Sequence, residues 1–310
     1  MTGWGSLTTA EAESMRAYSD AGLTTELAIE VVSNDEIHIK VPTLTSSSEI
    51  YVTYDGIRSP YLPTDTYGRN AVWGDYAGVY HLNEHATIIN STGGTNGTGF
   101  STVSGDVVDG AVGKGLELLS DGDYLSLPCG NITNTYTIQI LYKKNGNPTN
   151  QSAGLERAAS TGNFTNGMQS FRINSNSTVV FFDRTGNTGQ NTQPASSATV
   201  GNNTWNWIHH TVSSGSQIGY INGSSAATTT SAKNSYSLTS DFFLNRTYNT
   251  TPGYANATYD EVRMRTGQLS ANWIETEYNN QNDVASFWGT VTDVTPATTL
   301  QASAGFFTIS

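Results

Sequence analysis

Short stretches that alternate apolar and polar residues recur along the chain, and they predict strands. In EIHIKV (36–41), Ile37, Ile39 and Val41 fall on one face and polar residues occupy the other. The same reading predicts two neighbouring strands, LAIEVV (27–32) and EIYVTY (49–54). A short helix is predicted at 8–18, where a threonine precedes acidic residues.

The pattern continues through the longer second half of the chain. One helix is predicted there, in LSANWIETEYNNQND (269–283), with Ser270 as its cap. The predicted strands are 77–83, 114–120, 123–128, 136–144, 168–173, 178–183, 205–212, 216–222, 241–245 and 258–265.

Composition supports an all-β fold built from two domains. Charged residues are only 13% of the chain, aromatic residues reach 10%, and Gly, Asn and Ser separate the strands. A stretch with two prolines at 55–70 resembles a linker. We therefore expect a small β domain at 1–72, a larger β domain at 73–288, and a linker with a final strand at 289–310.

The net charge of −12 limits the partners of the chain. An acidic surface repels phosphate, so we expect no nucleic-acid binding. No apolar run approaches the length of a transmembrane helix, so we expect no membrane insertion. Cys129 is the single cysteine, which excludes an internal disulfide.

Five segments follow one another along the chain: WGDYAGVYHLNE (73–84), DGAVGKGLELLSDGDYLSLP (109–128), YTIQILYK (136–143), TWNWIHHTVSSGSQIGYINGSSAATTT (204–230) and YDEVRMRTGQLSANWIETEYNNQND (259–283). Together, in this order, they resemble the laminin-G-like, concanavalin A-like jelly roll of bacterial, archaeal and phage surface proteins. Residues 15–72 resemble a small uncharacterised β domain that often precedes such jelly rolls. In that family more strand sequence normally comes before the segment MRAYSD (15–20), so the resemblance implies a first domain with an open groove.

Such jelly rolls include glycosidases, lectins and structural spacers, so the residues must distinguish among them. Glucanases with this fold carry an E-x-D-x-x-E strand, which is absent here: ELAIE (26–30) has Ala28 in place of the aspartate. We therefore predict no catalytic residues and no enzymatic activity. The resemblance also implies a possible Ca²⁺ site at a rim, for which Asp121, Asp123 and Asp260 are candidates, although each also suits a turn or a buried structural role.

Sugar binding needs exposed aromatic side chains, and Tyr248 and Tyr254 lie in the loop YNTTPGY (248–254). They are the candidate glycan-binding residues, with ordinary loop packing as the alternative. The sequence also carries N-glycosylation sequons, whose use depends on the compartment that the chain meets. They are Asn90, Asn96, Asn131, Asn150, Asn163, Asn176, Asn202, Asn222, Asn245, Asn249 and Asn256.

The chain closes on an apolar segment, LQASAGFFTIS (300–310), that the jelly-roll resemblance does not cover. A hydrophobic strand needs a partner, and the first domain is expected to have a groove. We interpret the segment as a polymerisation strand; folding back onto its own first domain is the alternative. Its residues are Leu300, Ala302, Ala304, Phe306, Phe307 and Ile309. The expected acceptor groove is lined by Ile37, Ile39, Val41, Ile50, Val52 and Tyr54.

These observations predict a non-enzymatic structural subunit of an extracellular, cell-surface or virion-surface filament. A head-to-tail strand donation does not close on itself, so it builds a homopolymer of copies of this chain. The alternative is a carbohydrate-binding adhesin or a phage tail or capsid decoration protein. No cofactor is expected other than the possible Ca²⁺.

Overall fold

The fold was analysed in a computed structural model of the chain. The structure describes residues 7–130, 132, 135–146, 152–160, 163–184, 195–213, 216–229, 238–248, 253–288, 291–293 and 305–309. No helix in these ranges is long and apolar enough to cross a membrane.

The described residues form 23 strands and four α-helices. The helices are α1 (Thr9–Glu13), α2 (Arg69–Val72), α3 (Ala271–Asn282) and α4 (Val284–Phe287). The first twelve strands are β1 (Arg16–Tyr18), β2 (Glu26–Leu27), β3 (Ile29–Val31), β4 (Ile37–Ile39), β5 (Ile50–Tyr54), β6 (Tyr76–Tyr80), β7 (Thr87–Ile88), β8 (Gly97–Phe100), β9 (Val107–Asp109), β10 (Lys114–Leu118), β11 (Tyr124–Leu127) and β12 (Tyr136–Lys144). The remaining strands are β13 (Ser152–Ser160), β14 (Asn163–Ile173), β15 (Thr178–Arg184), β16 (Ala195–Thr199), β17 (Trp205–Ser213), β18 (Ser216–Ile221), β19 (Ser224–Thr229), β20 (Phe242–Leu244), β21 (Ala257–Thr266), β22 (Val291–Asp293) and β23 (Gly305–Ile309).

The chain divides into two compact units. The first contains residues 1–74 together with 279–310, and the second contains residues 75–278. The first unit thus combines both ends of the chain, whereas the predicted ranges placed residues 279–288 with the jelly roll.

The first unit contains a five-stranded sheet in the order β2-β1-β5-β23-β22 and a separate β3–β4 hairpin. Its core consists of the buried residues Leu7, Met15, Ala17, Leu27, Ile29, Ile50 and Val52, with partly buried neighbours that include Ile37, Ile39, Val41, Tyr54 and Trp288. The expected helix at 8–18 is wrong in length. Helix α1, capped by Thr8, ends at Glu13, because the backbone of Arg16–Tyr18 pairs with both β2 and β5.

The second unit is a sandwich of two antiparallel sheets with eight described strands each. We call the first the front sheet; its order is β19-β18-β17-β12-β21-β10-β9, and β6 also pairs with β21. We call the second the back sheet; its order is β16-β15-β14-β13-β20-β11-β8-β7. Strand alternation directs one face of each sheet inward, and these faces supply one shared apolar core. The expected all-β jelly roll is confirmed.

Helix α3 covers part of the outer face of the front sheet. Ile274 is fully buried and packs with Tyr220 and Leu269. The nitrogen of Trp273 donates to the Ser270 hydroxyl at 3.2 Å, so the side chain of Ser270 bonds a free N–H at the start of the helix. Consecutive histidines of β17 illustrate the two faces: His210 packs against Tyr136 in the core, whereas His209 contacts α3 through Glu277.

Candidate functional site

The outer face of the back sheet carries a group of partly exposed aromatic side chains. In β11, Leu125 and Leu127 are fully buried in the core. Tyr124, the first residue of this strand, faces outward and is half-buried. The neighbouring strand β8 places Phe100 directly opposite Tyr124 in the register. Strand β20 adds Phe243, which is also half-buried. Alternation along three adjacent strands therefore gathers three rings on one surface.

These rings form a continuous series, which we call the aromatic row: Phe100, Tyr124, Phe243 and Tyr248. Phe100 stacks on Tyr124 with centroids 4.4 Å apart and planes 4° apart. Tyr124 meets Phe243 edge to face at 5.5 Å. Phe243 stacks on Tyr248 at 4.3 Å and 12°. The row is open at one end, where Phe100 is 39% exposed, and buried at the other, where Tyr248 is 5% exposed.

Arg246 lies over the middle of the aromatic row. Its guanidinium carbon is 4.7 Å from the ring centroid of Tyr124 and 5.0 Å from that of Phe243. Both distances are within the range of cation–π attraction. The Nε atom of Arg246 is buried and has no hydrogen-bond partner. The row therefore combines apolar ring surface with a positive charge.

Asn245 sets the position of Arg246, because it turns the chain at the end of β20. Its φ of 64° is left-handed, a conformation that asparagine tolerates better than most residues. Its side-chain oxygen accepts from the nitrogen of Ala255 and from the hydroxyl of Tyr259, both at 2.8 Å. Its side-chain nitrogen donates to the carbonyl of Asp123 at 2.8 Å. Three hydrogen bonds, two of them buried, thus fix this turn.

Tyr248 is the buried end of the aromatic row, so its ring offers no open surface to a sugar. Its ring stacks on Phe243, its hydroxyl donates to the Asp241 carbonyl at 2.7 Å, and its backbone nitrogen donates to Glu156 at 2.7 Å. Burial raises the pKa of its phenol to about 12. The expectation of an exposed Tyr248 is therefore corrected by its packing. Tyr254, the other expected glycan-binding residue, is half-buried.

The outer face of the front sheet carries a buried ionic network. Arg263 of β21 donates to Glu261 at 2.8 Å through Nε and to Glu277 of α3 at 2.5 Å through Nη1. His209 contacts Glu277 at 3.3 Å, and His81 contacts Glu261 at 2.5 Å. Sequence reasoning missed this network, because its members come from two strands, a loop and a helix that no local pattern joins.

The network perturbs the ionisation of its members. Burial alone raises the pKa of Glu277, but the hydrogen bond from His209 and the charge of Arg263 outweigh burial, so the pKa lies below its ordinary value. Burial likewise opposes the charge of Arg263, yet Glu261 and Glu277 raise its pKa. The Glu277 carboxylate is thus held ionised, and both Glu261 and Glu277 pair with one arginine.

The three aspartates considered for Ca²⁺ have separate structural environments. The buried Asp260 accepts from the nitrogens of Ala111 and Val112, both at 2.9 Å, and so holds the turn before β10. Asp123 accepts from the nitrogen of Ser120 at 2.9 Å within its own turn, and Asp121 is exposed. Within the described ranges these three do not form a cluster of three carboxylate, imidazole or thiolate ligands. Ca²⁺ binding stays a prediction.

The sequons differ in accessibility. Asn90 and Asn245 are buried, so the folded chain offers no room for a glycan on either amide. Asn96, Asn176 and Asn202 are exposed, and Asn222 and Asn256 are half-buried. Asn163 lies in β14, and Asn131, Asn150 and Asn249 lie outside the described residues. The exposed sequons therefore remain the candidates for glycosylation.

The C-terminal strand lies inside the sheet of the first unit of its own chain. Five residues of β23 pair antiparallel with β5, from Gly305 opposite Tyr54 to Ile309 opposite Ile50. Phe306 and Phe307 are the register partners of Thr53 and Val52. Leu300, Ala302 and Ala304 lie outside the described residues. Of the expected acceptor residues, Ile50, Val52 and Tyr54 belong to β5, whereas Ile37 and Ile39 pair with β3 instead and Val41 follows β4.

Solved structures share this fold at low sequence identity. A Trypanosoma rangeli sialidase is 9% identical, with a TM-score of 0.53 over 82% of this chain and 48% of that chain. A complex of this sialidase with 2,3-difluoro-KDN is 12% identical, with a TM-score of 0.51 over 69% of this chain and 34% of that chain. The binding domain of Paraclostridial Mosquitocidal Protein 1 is 16% identical, with a TM-score of 0.53 over 72% of this chain and 57% of that chain. The chain thus covers between a third and just over half of these structures.

No curated protein sequence matches the chain. A family model does: the laminin G model of the concanavalin A-like lectin/glucanases superfamily matches residues 119–275, which is half of the chain. The matched range contains most strands of both sheets, as well as Tyr124, Phe243 and Arg246 of the outer back face. The chain therefore belongs to the laminin G family of the concanavalin A-like lectin/glucanases superfamily.

Proposed function

We propose that this chain is a non-enzymatic carbohydrate-binding protein and that it binds glycans on the aromatic row. The observation that carries the proposal is the stacked series from Phe100 to Tyr248, with an exposed ring at one end and a rigid, buried ring at the other. Sugar rings have apolar faces, and exposed aromatic surface on a folded domain marks an interaction site. The superfamily, which includes lectins and glucanases, supports the same substrate class.

Binding without hydrolysis fits the positions of the described carboxylates. A glycosidase needs two carboxyl groups about 5–10 Å apart on either side of an accessible glycosidic bond. Glu261 is buried, the Glu277 side chain is 10% exposed, and both pair with Arg263. Near the row, Glu156 is fully buried and pairs with Arg172 at 2.6 Å, and the Asp241 carboxylate accepts from Ser126. None of these groups is both accessible and free to transfer a proton.

A glycan array probed with the full chain tests this proposal. Binding to at least one glycan class is expected. Phe100→Ala should weaken binding by up to about tenfold, because a stacked ring contributes about 0.5–1.5 kcal/mol. Trp273→Ala is the matched control: Trp273 is also exposed, at 51%, but lies on α3, away from the row. An array with no binding, or equal losses in both variants, would contradict the proposal.

A second function, self-assembly by strand exchange, is favoured by the position of β23. This strand is fourth of five in its sheet, and it comes from the opposite end of the chain from its partner β5. The same five-residue register is available to β23 of a neighbouring copy, since identical strands make identical pairs. If each copy gives its β23 to the next copy, the result would be a filament that displays the carbohydrate-binding unit at an extracellular, cell or virion surface.

A disulfide between register partners distinguishes exchange from folding back. Tyr51 and Thr308 are Cα partners, and such pairs lie about 4.5–5.5 Å apart, within reach of a disulfide. The variant carries Tyr51→Cys and Thr308→Cys, with Cys129→Ser to remove the native thiol. Exchange predicts covalent multimers on a non-reducing gel. Exclusively monomeric disulfide at high protein concentration would show that the strand stays in its own chain.

A further inference from the structure

Arg246 differs from Arg172, Arg263 and Arg265 of the second unit in having no carboxylate partner among the described residues. Arg172 pairs with Glu156 at 2.6 Å, Arg263 pairs with two glutamates, and Arg265 approaches Asp75 at 3.8 Å. Among the described residues, the guanidinium of Arg246 lies over the rings of Tyr124 and Phe243, and its Nε is buried without a hydrogen bond. A partly desolvated cation without a counter-ion is a costly arrangement, which an anionic ligand would relieve.

We infer that the aromatic row selects glycans that carry a carboxylate, and that Arg246 binds this carboxylate. The inference rests on the proposed carbohydrate binding at the same surface. The planar guanidinium offers a fork of N–H donors that matches the two oxygens of a carboxylate. Tyr124 and Phe243 hold the guanidinium in place, while Phe100 offers its ring to a sugar. A uronic acid or another acidic sugar presents both features.

Because the chain as a whole is acidic, we expect the attraction of an acidic sugar to act at short range, close to Arg246. The whole chain carries a net charge of −12, which repels anions at long range. Asp241 lies near the row, but its carboxylate accepts from the Ser126 hydroxyl at 2.6 Å and forms no ion pair with Arg246. The positive charge that an acidic sugar meets on the row is therefore that of Arg246, and its removal should abolish the preference.

The test uses the full chain on an array printed in matched pairs. Each carboxylate-bearing glycan stands beside its methyl ester, and neutral glycans are included. The acid should bind about tenfold or more tightly than its ester, since a charge-assisted hydrogen bond is about twice as strong as a neutral one. The Arg246→Gln variant should bind the acidic glycan and its methyl ester with equal affinity. Arg246→Lys should retain part of the preference, because lysine keeps the charge but lacks the forked N–H donors of the guanidinium.

Arg265→Gln is the matched control, because Arg265 also lies over a ring, that of Tyr76 at 6.0 Å, but on the front sheet. It should keep the preference, and the melting temperature of each variant shows that it is folded. Equal binding of acid and ester by the native chain would overturn the inference and leave carbohydrate binding intact. A preference that survives Arg246→Gln would overturn the role of Arg246. Absence of any glycan binding would overturn both proposals.

Discussion

At the scale of single residues, the buried charges of the front sheet determine how the second unit responds to pH. Glu277 joins helix α3 to strands β17 and β21 through His209 and Arg263. Its side chain is 10% exposed, and its pKa is lowered because these partners outweigh the effect of burial. A carboxylate whose pKa is lowered on folding stabilises the native state above its unfolded pKa, and this contribution disappears as the pH falls through the folded pKa.

Replacing Glu277 with glutamine should therefore destabilise the second unit at neutral pH and matter less in acid. Because Arg263 retains Glu261, the expected loss is about 1–3 kcal/mol, below that for leaving a buried charge wholly unpaired. The difference from the native chain should shrink below about pH 4.5, where the unfolded carboxyl binds its proton. Urea unfolding at several pH values measures it. Glu275→Gln, in the same helix but exposed, should change little; a loss independent of pH would contradict the linkage.

Gly219 is a second residue whose type the packing requires. It lies on β18 of the front sheet, and a Cβ atom there would be 2.1 Å from the Phe181 ring of the back sheet. Gly219→Ala should cost about 1–3 kcal/mol by overpacking, measured by thermal unfolding. Gly105→Ala is the control, since a Cβ at Gly105 meets nothing within 4 Å. Equal melting temperatures for the two variants would mean that the sheets can separate locally.

At the scale of elements, sequence periodicity found the strands whose side chains face a core. β12 has the predicted bounds, 136–144, because most of its apolar residues are β-branched or aromatic and so favour a strand. Periodicity did not predict β13 (Ser152–Ser160), β16 (Ala195–Thr199) or β19 (Ser224–Thr229), which are rich in Ser, Ala and Thr. These segments are strands because neighbouring strands bond their backbones, a tertiary effect that local pattern does not contain.

The β20–β21 connection is the element on which the candidate site depends. Asn245→Ala should lose about 2–4 kcal/mol, because it leaves buried partners of the side chain unbonded and places a Cβ-bearing residue without a local hydrogen bond at positive φ. Asn245→Gly loses the same hydrogen bonds but tolerates the φ, and should be less harmful by roughly 1 kcal/mol. Both should weaken glycan binding through Arg246. Unchanged binding in a folded Asn245→Ala variant would show that the turn does not position Arg246.

At the scale of the whole molecule, the fold was predictable and the candidate site was predictable only in part. The ordered set of jelly-roll segments identified the sandwich, since each segment forms a strand of the two sheets. The sequence predicts Tyr248 as a glycan-binding residue, but it does not predict that Tyr248 is buried, because its stacking on Phe243 is a tertiary contact. Phe100 and Arg246 carried no local signal: they become neighbours of Tyr124 and Phe243 only when β8, β11 and β20 pair.

The division into two units leads to a prediction about the chain end. The first unit takes β22 and β23 from the C-terminal segment, so without residues 289–310 its five-stranded sheet retains only β2, β1 and β5, with β5 as an unpaired edge. The second unit has its own core, and both described strands of that segment belong to the first unit. In a chain of residues 1–288, amide hydrogens of β1 and β5 should therefore exchange at least tenfold faster, while those of β12, β17 and β21 keep their protection.

Residues 75–278 expressed alone are the control and should give the same protection in those three strands. If the truncated chain instead protects β1 and β5 as well as the full chain does, then β23 contributes nothing to the first unit, and neither folding back nor exchange of this strand holds that sheet together.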